Sequence, residues 1–297
     1  MNQSDSAAIQ TSGLTKYYGS SLGVLGLNLT VKQGEVFGFL GPNAAGKTTT
    51  IRIFLDFIRA SAGHARLFGL DSHVHSSEIR ARTGYLPGEY GMYEEMRGFE
   101  YLRFFGALRG YKKPPLRDRL IEIFGLDISK RIKSYSHGTK QKLAVVQAFM
   151  HDPELLILDE PTIGLDPLMQ QRFYELLAEM KNRGKTIFLS SHILSEVEKV
   201  CDRVGILKEG KLVATHEISE IKKFRLKTVE ISFKQEVDES IFRLNGVRKV
   251  EKDGNTVRLW VGANINSVLR LISEHPVENM SFQDASLEDI FMEYYSE

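Results

Sequence analysis

The sequence predicts an α/β domain followed by a smaller α+β domain, and three observations point to this. Over the first two-thirds, short apolar runs with strand character alternate with helical stretches, as in chains that wind helices against a sheet. One of those runs, Glu35 to Leu40 (EVFGFL), leads straight into a glycine-containing turn and then into a helix from about Lys47. Near residue 220 the pattern changes, and residues 226 to 233 (LKTVEISF) alternate apolar and polar in the manner of a half-buried strand.

Each element follows from its residues. Residues 9 to 31 read as antiparallel strands broken by Gly19, Gly23 and Gly26. Residues 97 to 150 read as mostly helical, interrupted by Pro114-Pro115 and Gly125. Glu154 to Leu158 (ELLIL) and Thr186 to Ser190 (TIFLS) are apolar enough to be strands covered on both faces. Beyond the change in pattern, residues 256 to 261 (TVRLWV) form a second alternating strand after an Asp253-Gly254 turn signal. Asn264 to Ser273 and Ser286 to Tyr295 read as helices, the latter with a Ser-x-x-Asp start at Ser286 and Asp289. The expected division is residues 1–220 and 226–297, with no internal repeat.

Composition excludes several classes. The 297 residues suffice for two domains of roughly 150 residues. With 39 Lys and Arg against 38 Asp and Glu, no overall field points to nucleic acid as a partner. The single cysteine, Cys201, rules out an internal disulfide framework, fits a reducing compartment and reads as a packing residue. No stretch approaches the roughly 18 consecutive apolar residues of a membrane span, and the N-terminus has neither the basic nor the apolar part of a signal peptide. A soluble intracellular protein is expected, so any membrane role has to come through a partner or through surface adhesion.

The chemistry begins at Gly41 to Thr49, GPNAAGKTT, which matches G-x-x-x-x-G-K-[ST] between a predicted strand and a predicted helix. The backbone N–H groups of Gly41, Pro42's neighbour Asn43, Ala44, Ala45 and Gly46 can wrap phosphates, helped by the positive end of the helix. Lys47 supplies a cation to the β- and γ-phosphates, and the hydroxyls of Thr48 and Thr49 lie beside them, with Thr48 able to ligate Mg²⁺. A magnesium ion also needs carboxylate oxygen nearby. Leu155 to Pro161 (LLILDEP) supplies it, with Asp159 expected to hold the metal through water and Glu160 to act as base for the attacking water. These two motifs together indicate a nucleoside triphosphate site.

At this point the sequence resembles the nucleotide-binding subunits of ATP-binding cassette (ABC) transporters over about residues 8 to 220. Tyr135 to Lys142 (YSHGTKQK) resembles the family signature, Gly164 to Pro167 (GLDP) resembles the D-loop, His192 in SSHILSE matches the switch histidine, and Tyr18 in TKYYG is similar to the adenine-stacking residue. Tyr17 is the alternative for that stacking role. The resemblance implies a P-loop NTPase fold with a mixed-sheet core, an antiparallel β subdomain and a helical signature subdomain. It further implies that Ser136, His137 and Gly138 cradle the γ-phosphate of ATP bound to a second subunit, that Asp166 sits at the subunit seam and that His192 contacts the γ-phosphate. ATP and Mg²⁺ are then the cofactors. The partners are a transmembrane permease on a separate chain and a second ATP-binding subunit, expected to be another copy of this chain. The place of work is the cytoplasmic face of the cell membrane.

Four departures from the family pattern stand out. Ala44 occupies a position where relatives usually have glycine, and a positive φ there costs on the order of 1 kcal/mol. The Q-loop glutamine is replaced by Gly88 in GYLPGE, leaving Glu89 to contact Mg²⁺ or the membrane partner, a form that resembles bacterial type-2 exporter subunits. His137 replaces the first signature glycine, and Ile163 replaces a small polar residue before the D-loop. Residues 226–297 resemble the accessory C-terminal domain of the same exporter subunits. His216 and His275 read as surface residues, and no catalytic or metal cluster is evident there.

Residues 97 to 142 carry twelve Lys and Arg against four Asp and Glu, which fits either a solvated helical face or contact with anionic headgroups. The expected function is therefore ATP binding and hydrolysis to power a separate permease through dimer closure. The alternative is a soluble ATPase of the same family acting on a non-membrane partner; the stretch from Gly46 to Ser136 is too short, and lacks the heptads, for the coiled-coil arm of a DNA-repair clamp.

Overall fold

The computed structural model describes residues 7–89, 91–223, 227–262 and 265–284. The chain divides into two compact units, residues 1–216 and 217–297.

The first unit begins with the long hairpin β1 (Ala7–Tyr18) and β2 (Ser21–Lys32), antiparallel in register from Ala7↔Lys32 to Tyr18↔Ser21. Of the three glycines expected to break it, Gly19 makes the turn, whereas Gly23 and Gly26 lie inside β2. Gly26, at φ 59°, falls where the register shifts, so it bends the strand as a bulge instead of ending it. The fully buried strand β3 (Val36–Leu40) feeds α1 (Lys47–Phe54). Strands β4 (Ala62–Leu67) and β5 (Leu70–Asp71) extend the hairpin into a four-stranded sheet in the order β2-β1-β4-β5.

Next come α2 (Ser76–Arg82), β6 (Thr83–Leu86), α3 (Gly98–Leu108), α4 (Arg117–Ile123) and α5 (His137–Phe149). They are followed by β7 (Leu155–Asp159), α6 (Pro167–Asn182), β8 (Thr186–Ser191), α7 (Leu194–Val200), β9 (Arg203–Lys208) and β10 (Lys211–Glu217). The central sheet runs β10-β9-β3-β8-β7-β6, with parallel pairing through β9, β3, β8, β7 and β6. β3, β7 and β8 are buried at every position, as a parallel sheet covered on both faces requires. Phe188 in β8 sits among Phe37, Phe39 and Phe54, with ring centroids 5.3 to 5.9 Å away, and so ties β3 to α1 on either side of the phosphate loop. The β9–β10 turn, Glu209-Gly210, has both residues at positive φ, the geometry that matches the twist of a two-residue hairpin.

In the second unit a short helix α8 (Ile218–Lys223) precedes β11 (Lys227–Phe233), β12 (Val247–Asp253), β13 (Thr256–Val261), α9 (Ile265–Ser273) and β14 (Val277–Asp284). The antiparallel sheet has the order β12-β13-β11-β14. Val229, Ile231, Phe233, Val257, Leu259 and Val261 pack with Phe242 and with Val268 and Ile272 of α9 to form its core. The turn signal sits one residue later than the sequence suggests: Asp253 pairs with Thr256, so Gly254 and Asn255 make the bend. His275, expected at the surface, packs edge-on against Phe233 with centroids 6.1 Å apart, and His216 is half-buried. The helix expected over Ser286 to Tyr295 lies outside the described residues.

Candidate nucleotide site

The phosphate loop spans the gap from Leu40 to Lys47. Its shape depends on missing side chains: a Cβ on Gly41 would come 2.5 Å from the Leu207 carbonyl oxygen, and one on Gly46 (φ 106°) would come 2.4 Å from that of Gly23. Ala44 lies at φ 63°, so the position where alanine replaces glycine does hold the left-handed conformation. Neighbouring backbone closes the loop through Ala45 N–H to Pro42 O (3.2 Å), Gly210 N–H to Ala45 O (3.0 Å) and Gly41 N–H to Ser191 O (3.2 Å). No side chain caps the start of α1, which leaves its first N–H groups directed at the cavity in front.

That cavity, about 300 Å³, is lined by Tyr18, Leu22, Gly23, Pro42 to Thr49 and Glu160. Tyr18 is 46% exposed, stands with its hydroxyl 3.5 Å from Thr49 Oγ1 and carries Lys16 over its ring, 5.3 Å from the centroid. Its open face is available for stacking. Tyr17 is also exposed but does not line the cavity.

Lys47 is only 5% exposed, and its ammonium donates to the carbonyl oxygens of Gly41 and Pro42 and lies 3.0 Å from Glu160 Oε1. The other Glu160 oxygen is 2.9 Å from His192 Nδ1, so one carboxylate links the loop lysine to the histidine beyond β8. Glu160 is itself at φ 49°. Thr48 Oγ1 donates to Asp159 Oδ2 at 2.8 Å, and Ser190 Oγ donates to Asp159 Oδ1 at 2.5 Å. Nearby, burial and the Asp159 carboxylate push the Tyr85 phenol up to about 12. A hydroxyl and a carboxylate side by side are hard oxygen donors, and the loop has no room for added side chains; both features fit a Mg²⁺-bound triphosphate.

The remaining candidates fall in two other places. Ser136 caps α5, accepting from Thr139 N–H at 3.2 Å, and Asp166 caps α6, accepting from Met169 N–H at 3.0 Å. The His137 ring lies against Gly164, where a Cβ would come 2.4 Å from it, and Gly138 faces the Gly164 carbonyl. Ser136, His137, Gly138 and Asp166 thus share one neighbourhood and do not line the phosphate-loop cavity. Glu89 lines a separate cavity of about 290 Å³ with Tyr85, Arg80, Tyr101, Phe105 and Arg109, and it is Gly88 that lies against Asp159. Part of the basic excess of residues 97 to 142 is offset by carboxylates outside the stretch, with Arg119 on Glu179, Arg131 and Lys133 on Glu95 and Lys140 on Glu94, while Lys113 and Arg117 share Asp118. Cys201 is buried, and burial pushes its thiol well up, as expected of a packing residue.

Sequence reasoning missed three buried polar residues. Ser190 touches both Asp159 and Glu160; Gln141 donates to the Pro161 carbonyl at 2.8 Å; Glu196 joins Ser191 (2.9 Å) to Thr162. The available signal was polarity in the wrong place, because a serine pair ending a strand that is otherwise apolar on both faces needs partners.

Comparison with known proteins fits this geometry. The family described as ABC transporter matches residues 24–163, and the C-terminal domain of DrrA1-3-like ATP-binding proteins matches residues 217–295. The bacitracin transport ATP-binding protein BcrA of Bacillus licheniformis is 37% identical over 97% of each chain. The chain belongs to the ABC transporter family. The daunorubicin/doxorubicin resistance ATP-binding protein DrrA of Streptomyces peucetius is 32% identical over 98% of this chain and 93% of that protein. Among solved structures, an ATP-binding subunit of an ABC transporter matches with a TM-score of 0.68 at 30% identity, covering 73% of this chain and 92% of the other. A dimeric ATP-binding cassette in a post-hydrolysis state, bound to ADP and Pi, shares the fold with a TM-score of 0.63 at 19% identity, covering 71% and 98%. This ABC protein is an ATP-binding, ATP-hydrolysing transporter subunit that works with a transmembrane permease, and among the described residues no helix is long and apolar enough to cross a membrane.

Proposed function

We propose that this ABC subunit powers an outward-directed permease from the cytoplasmic face of the membrane, hydrolysing ATP in the cavity between Tyr18 and Glu160. The observation that carries the site is the convergence of Lys47, Thr48, Asp159, Glu160 and His192 on the open mouth of one phosphate loop. Tyr18 stacks on the base, and the loop N–H groups from Asn43 to Thr49 wrap the phosphates. Lys47 turns from Glu160 to the β- and γ-phosphates, which frees the carboxylate to accept a proton from the attacking water. His192 holds the γ-phosphate and keeps Glu160 oriented. Thr48, and Asp159 through water, would hold Mg²⁺, which would supply neutralising charge to the phosphate oxygens.

Ser136, His137, Gly138 and Asp166 act on the nucleotide of a second copy of the chain, and their separation from the first cavity supports that division of labour. Hydrolysis removes the γ-phosphate that holds the two copies closed. The cavity containing Glu89 receives the permease, and its aromatic and arginine lining supports that use. The division is into a nucleotide-binding domain, 1–220, and an accessory domain, 226–297, that stabilises the dimer or meets the permease. The substrates in the names of two relatives, bacitracin and daunorubicin/doxorubicin, belong to those proteins and are extended to this chain as an amphipathic drug or peptide.

The test is affinity capture from detergent-solubilised native membranes with Glu160→Gln protein held by ATP and Mg²⁺. Recovery of a multi-span protein, lost without nucleotide or after Glu89→Ala, supports the reading. Recovery of soluble partners alone overturns it.

A further inference from the structure

We propose that Ser190 is a positioning residue that sets the orientation of both acidic side chains of the site. This rests on the reading of Asp159 as the carboxylate that holds the metal through water and of Glu160 as base. Ser190 is fully buried at the end of β8 and faces Asp159 directly in the parallel ladder with β7. Its hydroxyl has one proton and two lone pairs. The proton goes to Asp159 Oδ1 at 2.5 Å, while the oxygen accepts the Glu160 N–H at 3.2 Å, a bond shared with the Ser190 carbonyl at 3.2 Å.

The Asp159 carboxylate is therefore held from two sides, by Ser190 on Oδ1 and by Thr48 on Oδ2 at 2.8 Å. Only one orientation of the carboxylate satisfies both donors. Glu160 needs a second kind of support, because at φ 49° it occupies a conformation that non-glycine residues rarely adopt. Such a residue persists when its surroundings over-determine it. The N–H of Glu160 is bound by two acceptors of Ser190, and the following Pro161 carbonyl is bound by Gln141 at 2.8 Å. One hydroxyl on the strand next to β7 thus aims the metal-binding oxygen and holds the backbone from which the base projects.

Removing a hydrogen-bond partner that orients a carboxylate holding a metal weakens metal affinity or activity by about 10- to 100-fold. In the full-length protein, Ser190→Ala is expected to lower kcat by about that factor. It should also raise the concentration of Mn²⁺ needed to reach half-binding in the presence of ATP, read by electron paramagnetic resonance. ATP binding in EDTA, where no metal is available, should stay within about two-fold, since the phosphate loop keeps its own contacts. Ser190→Thr keeps the hydroxyl and should restore both quantities, and hydrogen exchange at the Glu160 amide should speed up in the alanine variant only. Wild-type Mn²⁺ binding and kcat in Ser190→Ala would overturn the proposal. Equal loss of ATP binding in EDTA, or failure of threonine to rescue, would also overturn it by assigning the serine a packing role. Asp159→Asn is the control: if it leaves Mn²⁺ binding unchanged, the reading of the site itself fails, whereas its loss beside an unaffected Ser190→Ala rejects Ser190 alone.

Discussion

The two units handle their backbone and their charges in opposite ways. In the second unit, the residues described at positive φ are glycines, Gly246 and Gly254, and strand β11 alternates between an apolar core face and an outer face. Its ion pairs, such as Arg258 with Glu230 and Lys252 with Glu236, lie on the outside, where they contribute little. In the first unit, alanine, aspartate, phenylalanine and glutamate occupy the left-handed region, and two of these, Ala44 and Glu160, are in the site. Charged side chains there are buried and depend on one another: Lys47 on Glu160, Asp159 on Thr48 and Ser190. A parallel sheet with both faces covered has its strand ends as the place to put polar groups, and that is where the chemistry collects.

The sharpest way to break this contrast is to remove one charge from the strained side. Glu160→Gln keeps the shape but cannot take the proton of the attacking water, and loss of a general base typically costs about 10² to 10⁴ in rate. Phosphate release should fall by that factor while bound ATP is retained in a filter-binding assay. Release at the wild-type rate would mean that the base lies elsewhere. The equivalent insult to the second unit is steric. Phe242 is fully buried against Phe233, centroids 5.9 Å apart, and Phe242→Ala should destabilise that unit by about 3–5 kcal/mol. Urea unfolding followed by Trp260 fluorescence should show the transition moving to lower urea. An unmoved transition would show that the core of the second unit is not where the strands and α9 put it.

Burial also affects pH behaviour in the first unit. His151 is 4% exposed, and burial, with the Arg109 guanidinium nearby, pushes its imidazole down to about 4. Above the ordinary value of 6.5 the ring is neutral whether the chain is folded or unfolded, so stability there is independent of it. As pH falls from 6.5 towards 4, the unfolded chain takes up a proton that the folded chain refuses, and stability declines by about 3 kcal/mol in all. Chemical denaturation at pH 7 and pH 4.5 should show a smaller decline for His151→Gln than for the parent. Equal declines would place the acid sensitivity in the carboxylates alone.

The fold was legible where side-chain pattern decides structure. The doubly apolar strands at Val36, Leu155 and Thr186 and the alternation of LKTVEISF and TVRLWV each landed on a strand. Gly23 and Gly26 misled because a glycine marks a bulge as readily as a strand end, and only the partner strand decides between them. Strands β4, β6, β9 and β10 were not read at all; β4 and β10 carry polar or small residues that are ordered by their neighbours, not by their own pattern. In the site, the loop and the DE pair were legible because the phosphates impose a fixed spacing. Ser190, Gln141 and Glu196 were not, because their partners are far away in sequence: Ser190 and Asp159 are brought together by the β7–β8 ladder.

The smallest expected effect tests the strain argument itself, by moving a methyl group in opposite directions in the two units. Gly254, at φ 57° with open space around it, has no steric neighbour to complicate the outcome, so Gly254→Ala should cost about 1 kcal/mol from the left-handed conformation alone. Ala44→Gly runs the other way. Relief of the left-handed penalty, about 1–2 kcal/mol, is partly offset by the greater freedom that glycine has in the unfolded chain, about 0.5–1 kcal/mol. The net gain of about 0.5–1 kcal/mol corresponds to a rise in Tm of about 2 °C for a unit of this size. ATP affinity should be unchanged, because the wrapping groups are backbone N–H and glycine retains them. A lowered Tm for Ala44→Gly would mean that the alanine methyl packs favourably enough at the cavity wall to outweigh its φ, and the loop would then owe its shape to that contact instead of tolerating it.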